Sequence, residues 1–318
     1  MDGGQGEAAA PRPVPEPVSR AEFLEDVLEG LSRPQKALPG KYLWDETGSL
    51  LFDRICASPD YYLTRRETAL LRAAAPEVAE VVGPRTSLVE LGSGASVKTR
   101  LLLDALPEPT RYVALDIAAA HLAAATVGIA QDYPGLAVVP VCADYTKPLA
   151  LPAAGEGGPV LGFFPGSTIG NFGPAAAAAF LARIGAALGP SWFLVGADPN
   201  RDAATLSRAY ADGAGLMAAL HGNLLVRIRR ELGGAVDPAA FRHEARVFDD
   251  PPRVEAHLVA RWPTTCRVGG RAIRFAAGES IHTDSAHKYA PEAFRAIATR
   301  AGHRQVRALG LAAVELEG

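Results

Sequence analysis

Cysteine is scarce in this sequence: three residues, Cys56, Cys142 and Cys266, stand far apart and never in CxxC spacing. That excludes a disulfide framework and a cysteine-built zinc site, and leaves three small side chains of ordinary core type. An excess of one charge is missing too. Lys plus Arg number 32 against 35 Asp plus Glu, a net of -3, so no basic field exists to neutralise a nucleic-acid backbone or an anionic membrane. No run approaches the roughly 20 uninterrupted apolar residues of a membrane helix, and the N-terminal segment holds no apolar signal core. The expectation is a cytoplasmic globular protein without nucleic-acid or membrane partners. Aromatic residues are only 7% of the chain, yet Tyr42, Trp44, Phe52, Tyr61 and Tyr62 crowd into 41–67, which predicts that this segment lines something.

The length, 318 residues, suits two domains or one core with a large insertion. Residues 1–19, rich in Gly, Ala and Pro, read as a disordered tail. Ser19 then caps a helix over Ala21–Leu31. Short apolar runs at Ser87–Leu91, Tyr112–Ile117, Ala137–Val141, Val160–Phe164 and Trp192–Ala197 predict strands. Helical patterns at Lys98–Ala105, Ala118–Gln131 and Pro174–Leu188 alternate with them, which predicts an α/β fold with a mostly parallel sheet covered on both faces. From residue 201 the alternation stops. Ala203–Arg229 reads as one long helix, Arg253–Arg261 and Cys266–Phe275 as an antiparallel pair turning at Gly269-Gly270, and Pro291–Arg300 and Gln305–Leu309 as a closing helix and strand.

The first strand ends VELGSGAS (89–96), where Gly92 and Gly94 permit a tight turn and close approach of a ligand to the backbone. A dinucleotide fingerprint wants a third small residue where Val97 stands. Glu90 before the glycines, Asp116 closing the second strand, and Asp144 with Tyr145 after the third fit S-adenosylmethionine instead. Asp116 would accept from the ribose hydroxyls, Asp144 from the adenine amino group, with Tyr145 beside the ring. On these residues alone a nicotinamide cofactor or no cofactor stays open.

Four segments, YYLTRRE (61–67), ELGSGAS-x-KTR (90–100), FPGSTIGNF (164–172) and IHTDSAHKY (281–289), resemble the histidine-specific Nα-methyltransferase family, whose members trimethylate the histidine amine at the start of ergothioneine synthesis. The likeness runs from about Lys36 to about Arg307. It implies a Rossmann-like S-adenosylmethionine methyltransferase core with a second α+β substrate domain. The division would be 20–60 with 201–285 for the substrate domain, and 61–200 with 286–318 for the methyltransferase domain. It implies that Phe52, Tyr61, Asn171 and Tyr210 hold the amino acid, Asn171 and Tyr210 at its carboxylate and amine. Tyr61, Asn171 and Tyr210 then form the candidate catalytic set. Gly92, Lys98, Asp116, Asp144 and Tyr145 fall in the cofactor stretch beside Glu90 and Gly94.

The chemistry would be in-line displacement at the sulfonium methyl by a neutral amine, so orientation and desolvation dominate. Tyr61 is the candidate proton acceptor, through water. The chain departs from the family pattern in the late segment, which there commonly reads T-Glu-x-Ser and here Thr283-Asp284-Ser285-Ala286. Asp284 and Ala286 are the expected side-chain contacts, and Ala256 is also small, so the pocket is expected to be roomier. Histidine leads; tryptophan, tyrosine or another amine, or a non-catalytic S-adenosylmethionine-binding module, are the alternatives. His282 and His287 lack metal-pair spacing, no metal is expected, and His121 reads as a surface or lightly packed residue. The expected assembly is a monomer.

Overall fold

The computed structural model describes residues 18–149, 151, 158–309 and 313–317; the predicted tail lies outside them except for Val18 and Ser19. Helix α1 (Arg20–Gly30) starts where Ser19 Oγ accepts the Glu22 N–H, as its cap predicts. A two-residue strand β1 (Lys36–Ala37), a 3₁₀ turn (Gly40–Leu43), α2 (Glu46–Ala57) and α3 (Tyr62–Val82) follow. Then comes the alternating region: β2 (Ser87–Leu91), α4 (Val97–Ala105), β3 (Arg111–Asp116), α5 (Ala119–Asp132), β4 (Ala137–Cys142), β5 (Val160–Phe164), a 3₁₀ turn (Thr168–Asn171), α6 (Pro174–Leu188) and β6 (Trp192–Gly196).

Every residue of β2 and β5 is buried, which is why these strands are continuous apolar runs rather than alternating ones. β4 is half-exposed and carries Pro140, whose missing N–H is tolerated because the strand lies at an edge. The region after residue 201 holds α7 (Ala203–Tyr210), α8 (Leu216–Leu232), β7 (Phe241–Asp249), β8 (Pro252–Ala260), β9 (Thr264–Val268), β10 (Arg271–Phe275), β11 (Ser280–His287), α9 (Pro291–Arg300), β12 (Gln305–Ala308) and β13 (Ala313–Glu317).

The large sheet runs β12-β13-β6-β5-β2-β3-β4, parallel except for β13, which is antiparallel to both neighbours. The chain enters at β2 in the middle, steps outward through β3 and β4, then returns to β5 and β6 on the other side. The crevice outside the carboxyl ends of β2 and β5 is therefore a topological switch point, where such sheets take ligands. One buried cluster joins α3, α4 and α5 to one face of the sheet, and another joins α6 and α9 to the other. This is the predicted Rossmann-like α/β architecture.

Beside it stands an α+β layer, a sheet of order β1-β11-β8-β7 with α8 packed against it and β9/β10 as a separate hairpin. Its core draws on residues 23–63 and 206–281 together, and β1 is hydrogen-bonded to β11 across more than two hundred residues of chain. The 285/286 division falls inside β11.

Two sequence expectations need correction. The long helix is two: after Tyr210 the Asp212 carboxylate caps α8 by accepting from the N–H groups of Leu216 and Met217, and Gly215 takes a left-handed φ of 72° there. The antiparallel pair is also regrouped. Gly269 and Gly270, both at positive φ, turn β9 into β10, whereas β8 pairs with β7 and β11. Among the described residues no helix is long and apolar enough to cross a membrane.

Candidate active site

A cavity opens at the switch point, and its walls come from both halves of the molecule. On the sheet side, Gly92 (φ 77°) and Gly94 (φ 47°) let the chain leave β2 in a left-handed turn. Asp116, at the end of β3, holds that turn: its carboxylate accepts from the Gly94 N–H at 3.2 Å and the Ala118 N–H at 2.9 Å. Glu90 lies beneath the turn, its Oε2 accepting from Thr99 Oγ1 and Tyr112 Oη, both at 2.6 Å. Burial pushes this carboxyl up to about 7, against those two hydrogen bonds. Tyr145 lines the cavity with its ring edge-on to Phe164 at 5.6 Å. Asp144 is buried, its Oδ1 bonded to the Thr146 N–H, while Oδ2 lacks a hydrogen-bond partner among the described residues.

Lys98 lines the cavity as expected, but its ammonium is ion-paired with Glu67, and Glu67 in turn accepts the Gly166 N–H at 2.8 Å. The YYLTRRE segment thus works largely as a rivet. Arg65 holds the carbonyls of Ser58 and Pro59, both at 2.7 Å, and Tyr62 donates to Asp198 at 2.5 Å. Of the five crowded aromatics, Trp44, Phe52 and Tyr61 line the cavity; Tyr42 turns away to Asp26 and Tyr62 to Asp198.

Trp44, Phe52, Tyr61 and Tyr210 form an edge-to-face chain with successive centroids 5.2, 6.0 and 6.2 Å apart. Burial raises the Tyr61 phenol well above its ordinary range. Near neutral pH it is therefore a hydrogen-bond donor, and its expected role as proton acceptor does not fit this environment. Asn171 reaches the cavity from the 3₁₀ turn after β5. Tyr210 Oη accepts from Lys288 Nζ at 2.8 Å, and Lys288 is ion-paired with Asp198 at 2.8 Å.

The far wall depends on a β-bulge. Ile281 is paired with Leu258, Asp284 with Ala256 and Ala286 with Val254, so one extra residue in β11 falls between His282 and Asp284. Without it, strand alternation would put Asp284 and Ala286 on the face opposite Ile281. With it, both join Ala256 and Val254 on the cavity wall. Asp284 Oδ1 accepts the Ser285 N–H at 2.9 Å, and burial outweighs that bond to push the carboxyl up to about 7. A second recess, lined in part by Asp26, Glu29, Arg33 and His282, shares Asn171, Asp284 and Ser285 with the first.

Sequence reasoning missed three participants. Glu67, Asp198 and Lys288 carry the hydrogen bonds that set the cavity's frame. Glu67 and Lys288 stood inside the quoted motifs, but their partners lie 31 and 90 residues away. His121, expected at the surface or lightly packed, is half-buried and lines the cavity. Among the described residues no group of His, Cys, Asp and Glu is arranged to hold a metal ion.

Comparison with known proteins agrees with this geometry. The model of the family described as histidine-specific, S-adenosylmethionine-dependent methyltransferases matches residues 23–309. The chain belongs to this family. The histidine Nα-methyltransferase of Mycolicibacterium smegmatis is 41% identical over 295 residues, covering 90% of this chain and 91% of that one. The histidine Nα-methyltransferase of Mycobacterium tuberculosis is 40% identical over 289 residues, covering 89% of each. The N-methyltransferase imqF of Aspergillus flavus is 27% identical over 301 residues, covering 89% of this chain and 80% of that one.

As a member of the histidine-specific methyltransferase family the chain is an S-adenosylmethionine-dependent N-methyltransferase with a small-molecule amino-acid substrate. Its residues fit the cofactor. Ser93 Oγ on the glycine turn and Asp144 Oδ2, the latter 4.0 Å from Lys41 Nζ, are buried polar atoms without hydrogen-bond partners among the described residues, and the left-handed glycines leave the backbone bare. Asp116, Asp144 and Tyr145 would hold the nucleoside portion, and the Gly92–Gly94 turn the rest. When bound, S-adenosylmethionine supplies an electrophilic methyl on a sulfonium.

Proposed function

We propose that the chain methylates the α-amine of L-histidine, carrying it to the trimethylated form at the start of ergothioneine synthesis. The observation that carries this reading is the bulge in β11, which sets the Asp284 carboxyl on the wall of the cavity that Tyr61, Asn171 and Tyr210 also line. A carboxyl that changes charge near pH 7 suits an imidazole, whose ordinary pKa of about 6.5 lies beside it. Tyr210 and Asn171 supply donors for the substrate carboxylate without a fixed negative charge at the amine, where such a charge would hold it as unreactive ammonium. Trp44, Phe52 and Tyr61 keep water from the reacting centre. Two relatives with about 40% identity are named for this substrate.

In the same reading 20–60 with 201–285 forms the amino-acid side of the cavity, joined there by Tyr61 and Asn171, and 61–200 with 286–318 holds the cofactor. Its support is the buried cluster that joins 23–63 to 206–281. The reading takes the chain as a monomer acting in the cytoplasm.

One observation favours a second substrate class. Ala256 and Ala286 are both small and stand on the same wall as Asp284, leaving room for an indole or phenol. The deciding experiment is a mass-spectrometric screen of the twenty amino acids with S-adenosylmethionine. Histidine gaining up to three methyls is the expected result. Gain on tryptophan or tyrosine without histidine would overturn the substrate, and no product from any amino acid would favour a non-catalytic module.

A further inference from the structure

We infer that Lys288 is a positioning residue for the amino-acid substrate, acting through Tyr210 by fixing the direction in which that phenol donates its hydrogen. This rests on the proposed reading that Tyr210 faces the substrate carboxylate.

Lys288 does not line the cavity. It is 3% exposed, at the end of β11, where the small sheet meets the end of β6. Its ammonium donates to Asp198 Oδ2 and to Tyr210 Oη, both at 2.8 Å. Asp198 is fully engaged without Tyr210: Oδ2 also accepts from Tyr62 Oη at 2.5 Å, and Oδ1 from the Asn200 N–H at 3.1 Å. Lys288 therefore spends a donor on Tyr210 beyond what neutralising Asp198 requires.

A phenol oxygen that accepts from an ammonium must turn its own hydrogen elsewhere. Among the described residues Tyr210 Oη has no other partner, and Tyr210 lines the cavity. The hydrogen thus faces the ligand, and the cation behind it strengthens the donation. A substrate ammonium accepted on that same oxygen would stand beside the Lys288 cation and be repelled by it, so the natural partner of Tyr210 is the carboxylate.

The test is isothermal titration of protein saturated with S-adenosylhomocysteine, using the amino acid that the screen identifies and its carboxylate-free amine; for histidine, that amine is histamine. Changing Lys288 alone would leave Asp198 buried without its counter-charge, so the pair Asp198→Asn with Lys288→Met is used. The expected result is a loss of amino-acid affinity of about tenfold to a hundredfold, the range of a charge-assisted hydrogen bond, with affinity for the amine and for S-adenosylhomocysteine unchanged within about twofold. Tyr210→Phe should cause a similar loss and add less than about twofold when combined with the pair. Lys288→Arg is the second variant, should the pair fail to fold. It keeps the charge but turns it into a fork against Asp198, and should weaken the amino acid at least about fivefold and spare the amine. Equal losses for amino acid and amine, unchanged amino-acid binding, or losses that multiply fully with Tyr210→Phe would each overturn the inference. A different amino acid emerging from the screen would overturn only the substrate reading.

Discussion

Asp284 makes the stability of this enzyme depend on pH in a direction opposite to that of most acidic residues. Its carboxyl lies on the cavity wall with one backbone N–H as partner, and burial moves it from 3.8 to about 7. At about 1.36 kcal/mol per tenfold, that corresponds to at most about 4 kcal/mol. The carboxyl borders two open recesses, so solvent screening leaves about half, on the order of 2 kcal/mol. The folded protein binds the proton more tightly than the unfolded chain, so this contribution is fully present below about pH 4 and disappears as the pH rises through about 7. Asp284→Asn cannot ionise and keeps its stability. Urea unfolding of wild type and variant at pH 5 and pH 8 checks this. The stability difference should shift in the variant's favour by about 1 kcal/mol between the two, since part of the loss in wild type is already complete at pH 5. A difference that stays constant from pH 5 to 8 would refute the reasoning, because it would mean that the carboxyl ionises in the folded protein as it does in water.

Three further outcomes follow from the same geometry. Asp116→Ala removes the carboxylate that holds the glycine turn and that we propose faces the cofactor, and should weaken S-adenosylhomocysteine binding by about tenfold or more in a calorimetric titration; unchanged binding would remove Asp116 from the site. Tyr61→Phe should lower the rate but leave the shape of the pH–rate profile unchanged, because the phenol does not ionise in the working range; the loss of an alkaline limb would show it to be a base. Gly196→Ala would drive a Cβ into Glu67 Oε1, on the carboxylate that binds Lys98 and the Gly166 N–H, and should cost about 1–3 kcal/mol in thermal unfolding together with a fall in activity.

The parallel core could be read from sequence because buried strands such as SLVEL and VLGFF carry their burial in their composition. Its order could not, since nothing local says that β13 inserts between β6 and β12. β7, with FRHEARVFD, shows no clean apolar alternation because most of it is only half-buried, so its strand character depends on a partner supplied by β8. The break between α7 and α8 was written in Asp212 and Gly215, but an apolar helical pattern on both sides hid it. In the site, residues that touch the cavity were legible because chemistry chooses their type: glycines at a turn, an acid at a strand end, phenols and an amide. Residues that act on those residues were not. Glu67 reads as one more acid on a helix and Lys288 as one more lysine until the fold brings Gly166 and Tyr210 to them.

The chain formed by Tyr62, Asp198, Lys288 and Tyr210 joins α3, the end of β6, the end of β11 and the end of α7. No two of its members belong to the same element, and the Lys288–Asp198 pair closes a loop that encloses α7, α8 and every strand of the small sheet except β1. The grip proposed for the amino acid therefore rests on contacts of long sequence separation. The Gly94–Asp116 contact needs only one strand–helix–strand unit, whereas Tyr210 acquires its donor from a residue seventy-eight positions further along the chain. The glycine turn is thus held by a local contact and the Tyr210 phenol by a distant one.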